Sequence, residues 1–272
     1  MGISVEQEAQ QAATRFRQEH RLGAQPLGDL AALIEQTTGH DVAVLDADDG
    51  EHGLTMRDPR RGRAFIGIAR SMNPMRQRST LAHELAHIIF DDWAEDLSEQ
   101  SPVEIRANAF ARHLLVPVHG VAELLGDTTN VSEATLSQVV QRFLVSPAIA
   151  AIVMREAGYI NSSVSKQWIR VHTPQLATRF GWSDYYASLQ SDSNRLRAPQ
   201  GLLARAIAGF TEGVVSAQAI ATLRGMPVEQ VIAELSDAGI GPRVFDATEF
   251  DLDKLPTVEV DLSGLEDEGI IS

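Results

Sequence analysis

The chain has 272 residues, of which 44% are hydrophobic and 22% charged, an ordinary globular balance with room for one large domain or two small ones. Lys and Arg number 23 against 37 Asp and Glu. The formal charge of −14 argues against direct nucleic-acid binding, which rests on cationic side chains neutralising phosphates. There is no cysteine, so a disulfide scaffold, a Cys-ligated zinc finger, an iron–sulfur site and a thiol nucleophile are excluded.

Residues 4–20 read as a polar, Gln- and Ala-rich helix; Met1 to Arg21 lacks a central apolar run, so a secretory leader is not expected. Pro26 opens a second helix, with Leu27, Leu30, Ala31 and Ile34 at three- and four-residue steps and Gly39 as the stop. Asp41–Asp46 alternates as a strand. Gly53–Arg57 and Arg63–Ala69 follow as two more, separated by the turn-forming Asp58-Pro59-Arg60-Arg61-Gly62. Three short strands in succession predict a small antiparallel sheet, with 63–69 at an edge. After Pro74 the periodicity becomes helical, with helices expected near 75–91, 102–116, 132–144, 147–157, 199–211, 216–224 and 227–238.

Asn161-Ser162-Ser163 interrupts that periodicity and suggests a boundary, giving segments 1–160, 161–243 and 244–272. Within the second, Trp168, Trp182, Tyr185 and Tyr186 read as core. The third, from Val244 on, carries nine acids against Lys254 and reads as a solvated acidic tail, although Val258, Val260 and Leu262 alternate as a strand would. Pro147–Gly158 and Pro227–Gly239 each run from a helix-opening Pro to a terminal Gly, as in a helical hairpin or a helix-turn-helix. The second carries Glu229, Glu234 and Asp237 and no base, a poor match to phosphate. No run of about 18 apolar residues is present, so no membrane span is expected and the cytoplasm is the expected compartment.

The chemistry concentrates in Thr80-Leu81-Ala82-His83-Glu84-Leu85-Ala86-His87. His83 and His87 are four apart and leave one helix face about one turn from each other, as two zinc-ligating imidazoles require. Glu84 stands where a base is needed to take a proton from a water activated by the metal. The same pattern also fits two helix histidines beside an acid with no metal. A metzincin would place a third His where Trp93 stands and a glycine where Phe90 stands, so that class is excluded. Glu104 is a candidate third ligand from a second helix, with Asp91 and Asp92 as rivals. Asn108, four residues after Glu104, would share its face and hydrogen-bond a ligand imidazole. His113 would face away from that side. His20, His40, His52 and His172 read as surface or structural residues, and His119 has no clear placement.

These residues, with Arg78-Ser79-Thr80 upstream and Glu104-Ile105-Arg106-Ala107-Asn108-Ala109-Phe110-Ala111 and Leu114-Leu115-Val116-Pro117 downstream, resemble the ImmA/IrrE family of zinc metallopeptidases. The resemblance covers residues 5–160 well and 199–240 loosely. It departs at Ser79, Ala86 and Arg106, where an aromatic, a glycine and an acid are usual. It implies an α+β, mainly helical zincin-like fold over 1–160, with Zn²⁺ on His83, His87 and Glu104 and Glu84 as the catalytic base. It also implies a bacterial endopeptidase that cleaves a helix-turn-helix repressor of the Xre type and so relieves repression under stress or in mobile elements. That repressor would be a separate polypeptide. The contrasting expectation is a partner-binding or DNA-binding regulator on the same fold that cuts nothing.

Overall fold

The computed structural model describes residues 3–47, 53–60, 62–93 and 101–243. The tail 244–272, with its alternating Val258, Val260 and Leu262, and His52 lie outside the described residues.

Local sequence sets the helix ends. Helix α1 (Val5–Glu19) starts at Ser4, whose hydroxyl accepts from the Gln7 amide while the Gln7 side chain returns a bond to the Ser4 amide, a reciprocal cap. In α2 (Leu30–Thr38) the Asp29 side chain caps the first turn and Gly39 closes the last at φ 71°, a conformation that glycine adopts without Cβ strain. Three strands follow, β1 (Asp41–Leu45), β2 (Gly53–Asp58) and β3 (Arg63–Ala69). Helices α3 (Pro74–Ile89) and α4 (Pro102–Leu115) each begin with proline at the first position behind a capping side chain, Asn73 and Ser101 respectively.

The sheet order is β1-β3-β2. β2 and β3 form the expected antiparallel hairpin, Gly53 opposite Ile68 and Asp58 opposite Arg63. β1 instead lies parallel to β3, Asp41 beside Phe65 and Leu45 beside Ala69, so the sheet is mixed and not wholly antiparallel. β1 arrives from α2 and takes the side of β3 that the hairpin leaves open. This makes β3 the central strand, where an edge was expected, and accounts for its unbroken buried run of Ile66, Gly67 and Ile68. The outer side of β1 is covered in turn, because Val44 and Arg197 exchange backbone hydrogen bonds of 2.9 and 3.1 Å. β2, largely exposed, is left as the edge beside α3.

Nine more helices complete the described residues. They are α5 (Val118–Leu125), α6 (Glu133–Phe143), α7 (Pro147–Glu156), α8 (Ser162–Trp168), α9 (Thr173–Arg179), α10 (Ser183–Ser193), α11 (Gln200–Thr211), α12 (Ala217–Arg224) and α13 (Val228–Asp237). Buried apolar residues fall into two clusters. The larger runs from Ala9 through Phe110, Leu114 and Met154 to Trp168, Trp182 and Tyr186. The smaller joins Ala206, Ile220, Ala221, Val231 and Leu235. Segment 161–193 therefore packs with the unit before it, where the sequence places the start of a separate helical domain. The reason is aromatic: Trp182 and Tyr186 meet edge to face at 5.8 Å, and the Trp182 indole N–H donates to the Ser137 hydroxyl over 2.9 Å. Tyr185 stays exposed.

Candidate metal centre

The two histidines and the carboxylate come from crossing helices, α3 and α4. Their register is set outside the site. The Arg106 guanidinium on α4 grips both oxygens of Asp92, just beyond the end of α3, at 2.8 and 2.7 Å, and also donates to Glu8 of α1 at 2.9 Å. It lies 4.3 Å over the Phe90 ring, which packs edge to face on Phe110 of α4. With Nη2 shared between both Asp92 oxygens and Nη1 on Glu8, the planar guanidinium ties three segments at once, so this cluster holds α3 against α4 two residues from Glu104.

Nε2 of His83 lies 3.1 Å from Nε2 of His87 and 3.0 Å from Oε2 of Glu104, and Nε2 of His87 lies 3.5 Å from Oε1 of Glu104. The side chains of all three are nearly buried, at 16%, 12% and 12% exposure. Two ligands held tetrahedrally about 2.0–2.1 Å from one zinc ion stand about 3.4 Å apart, so the three atoms have the spacing of three corners around such an ion. Their chemistry agrees. Nδ1 of His83 is 3.0 Å from Oδ1 of Asn108. An amide oxygen can only accept, so the proton sits on Nδ1 and Nε2 turns its lone pair to the cluster. Burial, with His83 as a second cause, lowers the His87 pKa despite the nearby carboxylates of Glu104, Glu84 and Asp92, which favours the neutral imidazole that a metal takes. Two nitrogen lone pairs and a carboxylate facing one point suit a cation between them. The group can hold a metal ion.

Glu84 is on α3 beside His83, with its residue 9% exposed. Its Oε2 accepts from the Thr55 hydroxyl of β2 over 2.7 Å. β2 reaches this close because Gly53 has no side chain. A Cβ there would sit 2.6 Å from Oε1 of Glu84 and 2.8 Å from Cγ2 of Thr80. The sequence marks this position only as a glycine inside a strand, a signal of close backbone approach. Thr55 carries no such signal.

The rival ligands are otherwise engaged. Asp92 is held by Arg106. Asp91, at φ 54°, accepts from the Trp93 indole N–H at 2.5 Å and from Arg57 at 3.3 Å. His113 faces the other way, with its Nε2 2.5 Å from Oε1 of Glu6 on α1.

The residues that build this arrangement match a known family model, described as the IrrE N-terminal-like domain, over positions 37–155. That model is the one for the peptidase M78 family. The M78 segment includes the sheet, α3, α4 and every residue of the His83–His87–Glu104 group, and its family implies a metallopeptidase role. It leaves out α1, which supplies Glu8 to the Arg106 cluster. No curated protein matches the chain.

Proposed function

We propose that this chain is a zinc-dependent endopeptidase of the cytoplasm that cuts a separately encoded helix-turn-helix repressor of the Xre type, relieving repression under stress or in a mobile element. The observation that carries the peptidase reading is the convergence of His83, His87 and Glu104 at zinc-ligand spacing beside a nearly buried Glu84. Zinc held by those three would supply Lewis-acid polarisation of a scissile carbonyl and a more acidic water. Glu84 takes the proton of the attacking water and later passes it to the leaving nitrogen, acting first as base and then as acid. Thr55 keeps the Glu84 carboxylate aimed during both transfers. Asn108 keeps His83 in the tautomer that offers Nε2. An extended substrate segment adds to the exposed edge of β2, whose backbone groups set its register next to Glu84. β3 cannot serve in this way, since both its sides are occupied by β1 and β2.

The test is to incubate the purified chain, loaded with Zn²⁺ or stripped by a chelator, with the helix-turn-helix regulator encoded nearest to it, and to read fragments by mass. Zinc-dependent cleavage by the wild type, lost in Glu84→Gln with metal retained, is expected. His83→Ala is expected to lose both metal and cleavage. Cleavage by Glu84→Gln at the wild-type rate would remove Glu84 from the role of base.

A further inference from the structure

Helix α3 carries more than the two imidazoles on the face that meets the metal centre. Counting back from His83, Ser79 is four residues and Arg76 seven residues away, so both stay on that face. Ser79 lies about 6 Å from His83 along the helix axis, toward the N-terminus. Its hydroxyl turns back onto its own helix and donates to the Met75 carbonyl at 3.0 Å. Beside Ser79 and Arg76 opens a cavity of about 780 Å³, within the size range of ligand pockets. Its other walls come from the starts of α7 and α9, the end of α8, and α10.

The lining is apolar in its larger side chains. Pro147 and Tyr186 are buried, Ile149 and Val171 half-buried, and Met72 and Ile169 stand exposed on its lips at 56% and 42%. No carboxylate and no lysine is among the described residues that line it. Large apolar side chains left in water around an apolar hollow mark a surface that a ligand covers. The walls are fixed beforehand. The Gln190 side-chain amide donates to the Met72 carbonyl at 2.8 Å, the Ser193 hydroxyl donates to the Ser71 carbonyl at 2.6 Å, and Tyr186 is braced by Trp182. A preformed hollow binds with little cost of ordering. Its place on α3 says what fills it. β2 runs beside the same helix, with Thr55 on Glu84, and the outer edge of β2 is open. An extended segment on that edge advances about 3.3 Å per residue and alternates its side chains, so a residue about two positions from the bond held at the metal centre reaches Ser79.

We propose that this cavity is the pocket by which the chain selects its cleavage site: it takes a large apolar side chain of the substrate, within two residues of the scissile bond, and disfavours small or charged ones. The proposal rests on the peptidase reading and adds to it what the site would select.

The zinc-loaded full chain is given a mixture of unstructured peptides of varied sequence, and the cut sites and their rates are read by mass. Cuts with Leu, Ile, Met or Phe at one position within two residues of the bond should form about tenfold faster than cuts with Ala, Ser or Lys there, the scale on which an apolar pocket discriminates. Ser79→Phe fills the hollow from α3, and Ile169→Lys puts a charge on its exposed lip. Each should bring that preference close to parity with zinc content unchanged, since neither residue belongs to the metal-binding group. If Ser79→Phe does not fold, Ile169→Lys alone decides. Wild-type cleavage without an apolar preference, or a preference that the folded variants keep, overturns the pocket and leaves the peptidase reading standing. No cleavage of any peptide by the zinc-loaded wild type removes the peptidase reading and the pocket's role with it.

Discussion

The Thr55 hydroxyl donates to Oε2 of Glu84 across 2.7 Å, joining the exposed edge strand of the sheet to the carboxylate beside the first histidine of the metal cluster. One bond thus couples the surface where a substrate strand would lie to the group that would move the proton. Thr55→Val keeps the shape and removes the donor. It should lower kcat by about tenfold, the loss of one hydrogen bond to a charged group, with zinc content unchanged. Thr55→Ser should restore most of the rate. Steady-state kinetics on the proposed repressor substrate, with metal analysis of each variant, checks this.

Gly53 is a steric prediction. Gly53→Ala places a methyl 2.6 Å from Oε1 of Glu84 and 2.8 Å from Thr80, so either the carboxylate or the strand must shift. A displacement of about 1 Å at a reacting group costs about a hundredfold in rate. The variant should therefore lose about that much kcat/KM while its zinc affinity, set by α3 and α4, stays near that of the wild type.

Arg106 touches none of the three metal-binding atoms, yet it locks Asp92 to α4 two residues from Glu104. Arg106→Gln should weaken zinc binding by about tenfold, at the low end for outer residues that orient ligands. Competition titration with a chromophoric chelator measures it. Thermal unfolding should show zinc raising the Tm of the wild type but not of His83→Ala, since a ligand stabilises only the fold that binds it.

Burial pushes the Glu6 carboxyl up, but hydrogen bonds from Arg112 and His113 outweigh it and hold the carboxyl below the usual carboxylate range. With the folded value below the unfolded one, the ionised group stabilises the fold above the unfolded pKa, and that contribution disappears as pH falls through the folded value. Glu6→Gln should therefore be less stable than the wild type near pH 7, and the gap should close in acid below about pH 4. Because Glu6 is half exposed, solvent screening keeps the difference small. Denaturant unfolding at the two pH values decides it.

The metal helix was legible because its residues obey one strong period and its start carries Asn73 and Pro74, while Glu104 and Asn108 repeat the same four-residue spacing on α4. The sheet was less legible. Sequence neighbours favour hairpins, and nothing local says that β1 will pass to the far side of β3. Helix α5 was missed because it begins directly behind Val116-Pro117, so its apolar run reads as the tail of α4. Asn161 reads as a break, but it is the cap of α8, accepting from the amides of Ser163 and Val164 at 3.0 Å. The helices beyond it are short and rich in Ser, and they hold their place through Trp168, Trp182 and Tyr186, contacts made far along the chain and invisible to any local window. Asp92 looked like a ligand because it is an acid near two histidines. Its partner, Arg106, is fourteen residues away.

The backbone exchange between Val44 and Arg197 has a practical consequence for anyone isolating the catalytic part. A fragment ending where the family match ends, at residue 155, would bare the outer side of β1 and pull out the indole that plugs the wall behind Ser137. Such a piece would present a ready template for strand-on-strand self-assembly and should precipitate or form multimers. The smallest well-behaved fragment therefore extends past Arg197, some forty residues beyond where the family match ends.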